Sequence, residues 1–438
     1  MVAGVLVVST PAVVSTPVAG AQSEVIANPS GSAETIQDGI RSSLGLIANG
    51  SAFNSNAPTL APLSAGVEPL SAASSGDGGR SATAPALVGA TFLMSLIPVG
   101  SLANGGQLAA LSLGADTLTA AAGSFTGEGY PAPQPDPEIN ETRLVSREVQ
   151  EDHQGPGRLE HWTVSSAKMQ REVVLEVFLP SEDKGPAPVL YLLEGVDTVL
   201  PTPFRTRTNV AQRVEDENVI AVAPSGAPGA NWAEWIKDDP RLGRNNWETF
   251  IAEEFPSIIG AESDIDLNGK SGVLGLSMGA GSALRIAANH PGHFAAAGGV
   301  SGCYNATDDL GYETIRLNVE TRGGNLDNMW GPRGSELWQQ NHLPANADKL
   351  AGTHVFMSAA TGALGPQDIQ QYGAEPGVLF SGYILEAGAR ECTNQMSRAL
   401  NRAGVEHDTF YMPTGIHNWT AFGPGMNAAF DSMLPVLK

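Results

Sequence analysis

The chain has 438 residues, enough for one large catalytic core plus an appendage. Acids outnumber bases 46 to 24, and the resulting net charge of −22 repels phosphate backbones and anionic lipid, which excludes nucleic acid as a partner. With 42% hydrophobic and 16% charged residues it is neither a highly charged disordered chain nor a membrane bundle. Its two cysteines, Cys303 and Cys392, have no metal-ligand spacing, so neither a metal site nor another cofactor is expected.

In chain order, Val2 to Ala21 is small and apolar, and Ala19-Gly20-Ala21 before Gln22 fits a signal-peptidase site. Residues 1–21 are therefore expected to be an export signal, although no Lys or Arg precedes the apolar run. Residues 22–137 form a low-complexity extension. It has no Lys before Asp136, and all seven Trp lie at or beyond Trp162. Within it, Ala86 to Leu113 is apolar but is interrupted by Pro98, Gly100 and Asn104 to Gln107, too soon for a spanning helix. A self-packing or surface-docking helix pair is expected there. The Pro131 to Pro137 run reads as a stiff linker into a catalytic domain over 138–438.

Beyond the linker, strand-like and helix-like segments alternate, which predicts an α/β fold with a mostly parallel central sheet. Trp162 to Ser166 and Glu172 to Leu179 read as half-exposed antiparallel strands. Val189 to Leu193, Val219 to Ala223 and Gly272 to Leu276 are short apolar runs of the kind buried in parallel sheets. Trp247 to Phe255 and Ala280 to Asn289 carry helical periodicity. Gly404 closes a helix before the strand-like Thr409 to Met412.

The stretch with the most chemistry is Gly275-Leu276-Ser277-Met278-Gly279, a G-x-S-x-G motif between a buried-strand pattern and a small-residue helix. It reads as a nucleophile elbow. A serine on so sharp a strand-to-helix turn needs glycine at both flanks, where side chains would strike backbone. The residue after such a serine donates an oxyanion-hole amide, which here is Met278. The required base follows the nucleophile in the chain. Of eight histidines, His417, in a loop after the last strand-like run, is the best placed. His290 and His293 end the helix after Ser277, and His354 and His407 stand at strand starts. Among the acids between elbow and base, Glu386, Glu391, Glu406 and Asp408 are the candidates, and spacing does not choose among them. Glu386 reads as starting a helix. Asp264 to Gly269 looks like the start of a calcium loop, but the place of its bidentate glutamate is Gly275, so it reads as a turn.

From about Trp162 to Lys438 the chain resembles the secreted mycolyltransferases of mycobacteria and corynebacteria. The resemblance rests on Tyr191 to Gly195, Asn246 to Phe250, Gly275 to Gly279, Trp330-Gly331-Pro332, Leu385-Glu386 and His417-Asn418-Trp419, in the family's order. It implies an α/β-hydrolase fold, Glu386 as the acid with Glu391 the alternative, and oxyanion amides at Val196 and Met278. It also implies an acyl channel shaped by Tyr304 to Leu343, and substrate contacts at Glu194, Asp197, Trp330, Asn418 and Trp419. Two positions depart from the family. Its aspartate before the oxyanion glycine is Glu194 here, and the arginine that helps hold a sugar is Asp197, which inverts what that spot can bind.

The activity so implied is transfer of a mycoloyl group from trehalose monomycolate, through an acyl-serine, to a hydroxyl of a sugar or protein at the cell envelope. Association with the wall surface goes with it. A carboxylesterase with the same triad, or a non-catalytic wall-associated binding protein, are the rivals; the intact Ser277, Glu386 and His417 argue against the second. Cys303, after the strand that follows the elbow helix, and Cys392, in the helix after Glu386, are expected to be bridged.

Overall fold

The computed structural model describes residues 132–181, 184–373 and 376–438. The expectations for the leader and for the extension up to residue 131 lie outside the described residues. The described end of the proline-rich run is tied to the domain: the Ala132 amide donates to Arg241 O at 3.1 Å, and the Gln134 side chain to Pro240 O at 3.1 Å.

Nine strands form one sheet in the order β1-β2-β3-β5-β4-β6-β7-β8-β9. They are β1 Arg143–Val149, β2 Arg158–Ser166, β3 Arg171–Leu179, β4 Ala187–Leu193, β5 Ile220–Pro224, β6 Leu267–Leu276, β7 Ala296–Val300, β8 His354–Ala359 and β9 His407–Tyr411. The first three strands and the β3–β5 pair run antiparallel, and β5 through β9 pair in parallel. Every residue of β4, β5 and β7 is buried, as expected of parallel strands covered on both faces.

β2 and β3 are antiparallel as expected but more buried than half-exposed strands. The reason is cover on both sides. Trp162, Val173, Leu175 and Val177 pack with Phe250 and Phe255, while Leu159 and Phe178 pack with Val210 and Val214 of helix Val210–Glu217.

Four helices position the site: α1 Met278–Asn289, α2 Asp309–Glu320, α3 Pro376–Ala403 and α4 Trp419–Leu437. α1 and α3 lie on the face of Trp162 and Tyr191, and α4 covers the other with Met426, Phe430 and Met433. The helix expected from Trp247 is broken into Trp247–Thr249, a π turn Phe250–Glu254, and Phe255–Ile259. Pro256 has no amide to donate one turn back, and the widened turn accommodates the loss.

α3 begins well before Glu386, which therefore sits inside a helix and not at its start. Gly377, Gly382 and Gly388 blur the helical pattern of that stretch. Gly382 has a packing reason, since a Cβ there would lie 3.0 Å from the Ile416 side chain. Cys303 and Cys392 form a disulfide with Cα atoms 4.8 Å apart, stapling α3 to the loop after β7.

Candidate active site

β6 ends at Leu276, and α1 starts at Met278, which leaves Ser277 alone at the turn. Its backbone has φ 53° and ψ −119°, a conformation that L-residues rarely adopt and that surrounding packing must hold. Both flanking glycines are needed for that packing. A Cβ on Gly275 would lie 2.0 Å from Gly279 O, and one on Gly279 would lie 2.2 Å from Leu193 O. The Ser277 amide donates to Val300 O at 2.9 Å, fixing the turn against β7.

Ser277 Oγ lies 2.9 Å from His417 Nε2, and His417 Nδ1 lies 2.8 Å from Glu386 Oε2. The serine comes from the end of β6, the histidine from the loop after β9, and the acid from α3. The His417 backbone amide donates to Gly382 O at 2.8 Å, so the helix that carries Glu386 also sets the histidine loop. Phe422 meets the imidazole edge to face at 4.9 Å.

Glu386 is fully buried. Its Oε1 accepts from Ser301 Oγ and from the Ala360 amide, each at 2.7 Å, so the carboxylate is oriented before it reaches the imidazole. The other acids point elsewhere. Glu391 accepts from Gln395 and Arg398 on the outside of α3, and Asp408 accepts from Ser432. The other histidines are engaged away from Ser277: His342 with the Ala306 amide, His354 with Ser432 and His407 with Ser397.

The loop after β4 passes directly over the serine. A Cβ on Gly195 would stand 3.4 Å from Ser277 Cβ. Trp232 Nε1 donates to Glu194 O at 3.0 Å and the Gly229 amide to Val196 O at 2.9 Å, which pins the backbone on either side of Gly195. Met278 is the first residue of α1, where amides have no partner within the helix and the dipole favours negative charge.

The Glu194 side chain is buried, and its Oε2 has no hydrogen-bond partner among the described residues. Burial, reinforced by the charges of Asp197 and Glu176 and opposed by the Val199 amide, pushes its carboxyl up to about 8. Asp197 is half exposed and takes two bonds from the buried Arg322, from Nη2 at 2.6 Å and Nε at 3.0 Å. Asn418 uses its side-chain oxygen to cap α4, accepting from the Trp419 amide at 2.9 Å. Trp419 packs edge to face on Phe422 at 5.7 Å.

Tyr304, Trp330 and Leu343 help wall a chamber beside Ser277, with Asn231, Ser282 and Arg285 among its polar side chains. Its volume is about 30 Å³, room for roughly two waters and not for a long alkyl chain. Trp330 and Asn341 also line a neighbouring groove of about 490 Å³, to which Leu337 and Gln340 of the expected channel segment contribute. Amide and guanidinium groups occupy the walls of the chamber, and Trp330 stands against Trp338 at 5.2 Å.

Sequence reasoning missed Ser301, Ala360, Trp232, Phe422 and Arg322. Ser301 alone had a usable signal, as a polar residue immediately after the buried strand β7.

The family model of the esterases matches residues 166–433. Diacylglycerol acyltransferase/mycolyltransferase Ag85A of Mycobacterium tuberculosis (strain ATCC 25618 / H37Rv) is 28% identical over 278 residues, 62% of this chain and 79% of that protein. Ag85B of Mycobacterium avium is 27% identical over 62% of this chain and 81% of its own. Two solved structures share the α/β-hydrolase fold. Mycobacterium tuberculosis MPT51 matches with a TM-score of 0.51 and 22% identity over 64% of this chain and 99% of its own. An S-formylglutathione hydrolase from Agrobacterium tumefaciens matches with a TM-score of 0.51 and 14% identity over 68% and 100%. With the family model spanning strands β3 to β9, the elbow and the histidine loop, the chain belongs to the esterase family.

Proposed function

We propose that the protein is an exported serine acyltransferase of the mycolyltransferase type. The observation that carries this reading is the continuous relay from Ser277 Oγ through His417 to Glu386. His417 Nε2 takes the Ser277 proton as Oγ attacks the ester carbonyl of the donor. The Val196 and Met278 amides hold the oxyanion. Collapse breaks the ester C–O bond, and His417 returns the proton to the departing sugar alkoxide. An acceptor hydroxyl then gives its proton to His417, attacks the acyl-serine and regenerates Ser277. Glu386 keeps Nδ1 protonated and balances the imidazolium.

The relatives' names support transfer of a mycoloyl group; trehalose monomycolate as the donor and a sugar or protein hydroxyl at the cell envelope as the acceptor complete the reading. Glu194, Asp197, Trp330, Asn418 and Trp419 line the approach in this reading. The apolar residues 2–21 and the Cys303–Cys392 bridge support export. Among the described residues no helix is long and apolar enough to cross a membrane.

One observation favours a second reading. The chamber of about 30 Å³ beside Ser277 suits a short acyl group, as in a carboxylesterase with water as acceptor. Product analysis with trehalose monomycolate, with and without added trehalose, separates the two. Acyl transfer to trehalose is the expected result, and release of free acid alone would overturn the transferase reading.

A further inference from the structure

Arg390 stands four residues beyond Glu386 on α3, so both side chains leave the same face of the helix. It is half-buried, and two contacts hold its guanidinium. Nη1 donates to Ala359 O at 3.3 Å, and the guanidinium carbon lies 3.7 Å from the centre of the Tyr411 ring. Among the described residues no carboxylate pairs with it.

The carbonyl that Arg390 bonds belongs to the peptide unit whose amide serves the buried acid. Ala359 O accepts from Arg390, and the Ala360 N–H, across the same peptide bond, donates to Glu386 Oε1 at 2.7 Å. α3 therefore grips one peptide at the end of β8 from both sides. Carbonyl and amide of a peptide are coupled by resonance, so a cationic donor at the oxygen makes the N–H a stronger donor to the carboxylate. The Met412 amide bonds the same oxygen at 3.1 Å, and Met412 directly follows Tyr411, so the end of β9 fixes both the peptide and the ring against Arg390. Partial burial draws the Arg390 guanidinium below its ordinary range, and Tyr411 and Glu386 oppose that shift, so Arg390 and Glu386 sense each other's charge. Glu386 is fully buried, where a carboxylate needs donors or a nearby cation to stay ionised.

We propose that Arg390 is a positioning residue of the relay: through the Ala359–Ala360 peptide it keeps Glu386 ionised and aimed at His417 Nδ1. None of Arg390, Ala359 and Tyr411 lines the chamber beside Ser277, so the effect falls on the chemical step and not on donor binding. The inference rests on the Ser277–His417–Glu386 relay and adds a member behind it.

Steady-state hydrolysis of p-nitrophenyl butyrate by wild type, R390M, R390K, E386Q and the R390M/E386Q double variant tests it. R390M keeps the length of the side chain but loses its charge and donors, so kcat should fall about tenfold with KM within about twofold of wild type. R390K, which keeps a cationic donor, should stay within about threefold of the wild-type kcat. In the E386Q background R390M should cost less than about twofold, because the group it acts through is already lost. A wild-type kcat in R390M, equal losses in R390M and R390K, the same loss by R390M in both backgrounds, or a change confined to KM would overturn the inference and leave the relay standing. Absence of turnover by the wild type, or an E386Q rate within about threefold of it, would overturn the relay and the inference with it.

Discussion

Glu386 divides its two carboxylate oxygens between two tasks: Oε2 meets His417 Nδ1 at 2.8 Å, while Oε1 is held at 2.7 Å by both Ser301 and the Ala360 amide. The acid is thus anchored to the ends of β7 and β8 and is not free to follow the histidine. Replacing Glu386 by Gln preserves size but no longer fixes the protonated Nδ1 tautomer. The expected loss in kcat on an activated ester is about 10³ to 10⁴-fold. Ser301→Ala removes one anchor and should cost about tenfold, with the fold intact by circular dichroism. A Glu386→Gln rate within threefold of wild type would contradict the assignment.

The elbow is predicted to tolerate no side chain at its glycines. Gly275→Ala places a Cβ 2.0 Å from Gly279 O, a backbone atom that cannot move without opening the turn. The expected destabilisation exceeds about 4 kcal/mol, the range reached only by named steric or cavity mechanisms. Chemical denaturation of the purified variant measures it, and a cost under 1 kcal/mol would mean that the turn is not as tight as described.

The strands, the elbow and the histidine loop were legible because each rests on local pattern: apolar runs for β4, β5 and β6, glycines flanking Ser277, and a loop after the last strand for His417. The choice of Glu386 was not legible from spacing. What singles it out is burial and the two donors from β7 and β8, contacts made across 85 and 26 residues of sequence. The same holds for Asp197. Its neighbours in the chain give no hint of Arg322, which arrives 125 residues later. The narrowness of the chamber beside Ser277 was also hidden, because it depends on how Trp330 and Trp338 pack and not on their order in the sequence.

Glu194 predicts a pH dependence of stability. Its carboxyl is pushed up to about 8 by burial first and by the Asp197 charge second, so the folded state keeps a proton that the unfolded chain releases near 4.5. The stabilisation is full below about 4.5 and is lost as pH rises through about 8. The wild-type Tm should therefore fall by at least about 4 °C between pH 5 and pH 8.5 relative to Glu194→Gln, which has no such proton to lose. Parallel Tm profiles for the two proteins would contradict the buried, protonated state.

The disulfide predicts a redox dependence. Cys303–Cys392 spans 89 residues and fastens the helix that carries Glu386. Cys392→Ser paired with Cys303→Ser should lower stability by about 2 to 5 kcal/mol. Urea denaturation measures that loss, and a loss under 1 kcal/mol would show the staple to be structurally idle.

Acyl transfer through Ser277 is tested most directly by intact-protein mass spectrometry after brief incubation with trehalose monomycolate, beside a Ser277→Ala control. The expected result is one mycoloyl increment on the wild type, mapped to Ser277, absent from the control and discharged when trehalose is added. Turnover of the donor by the Ser277→Ala protein at the wild-type rate, or an adduct on another residue, would contradict the mechanism.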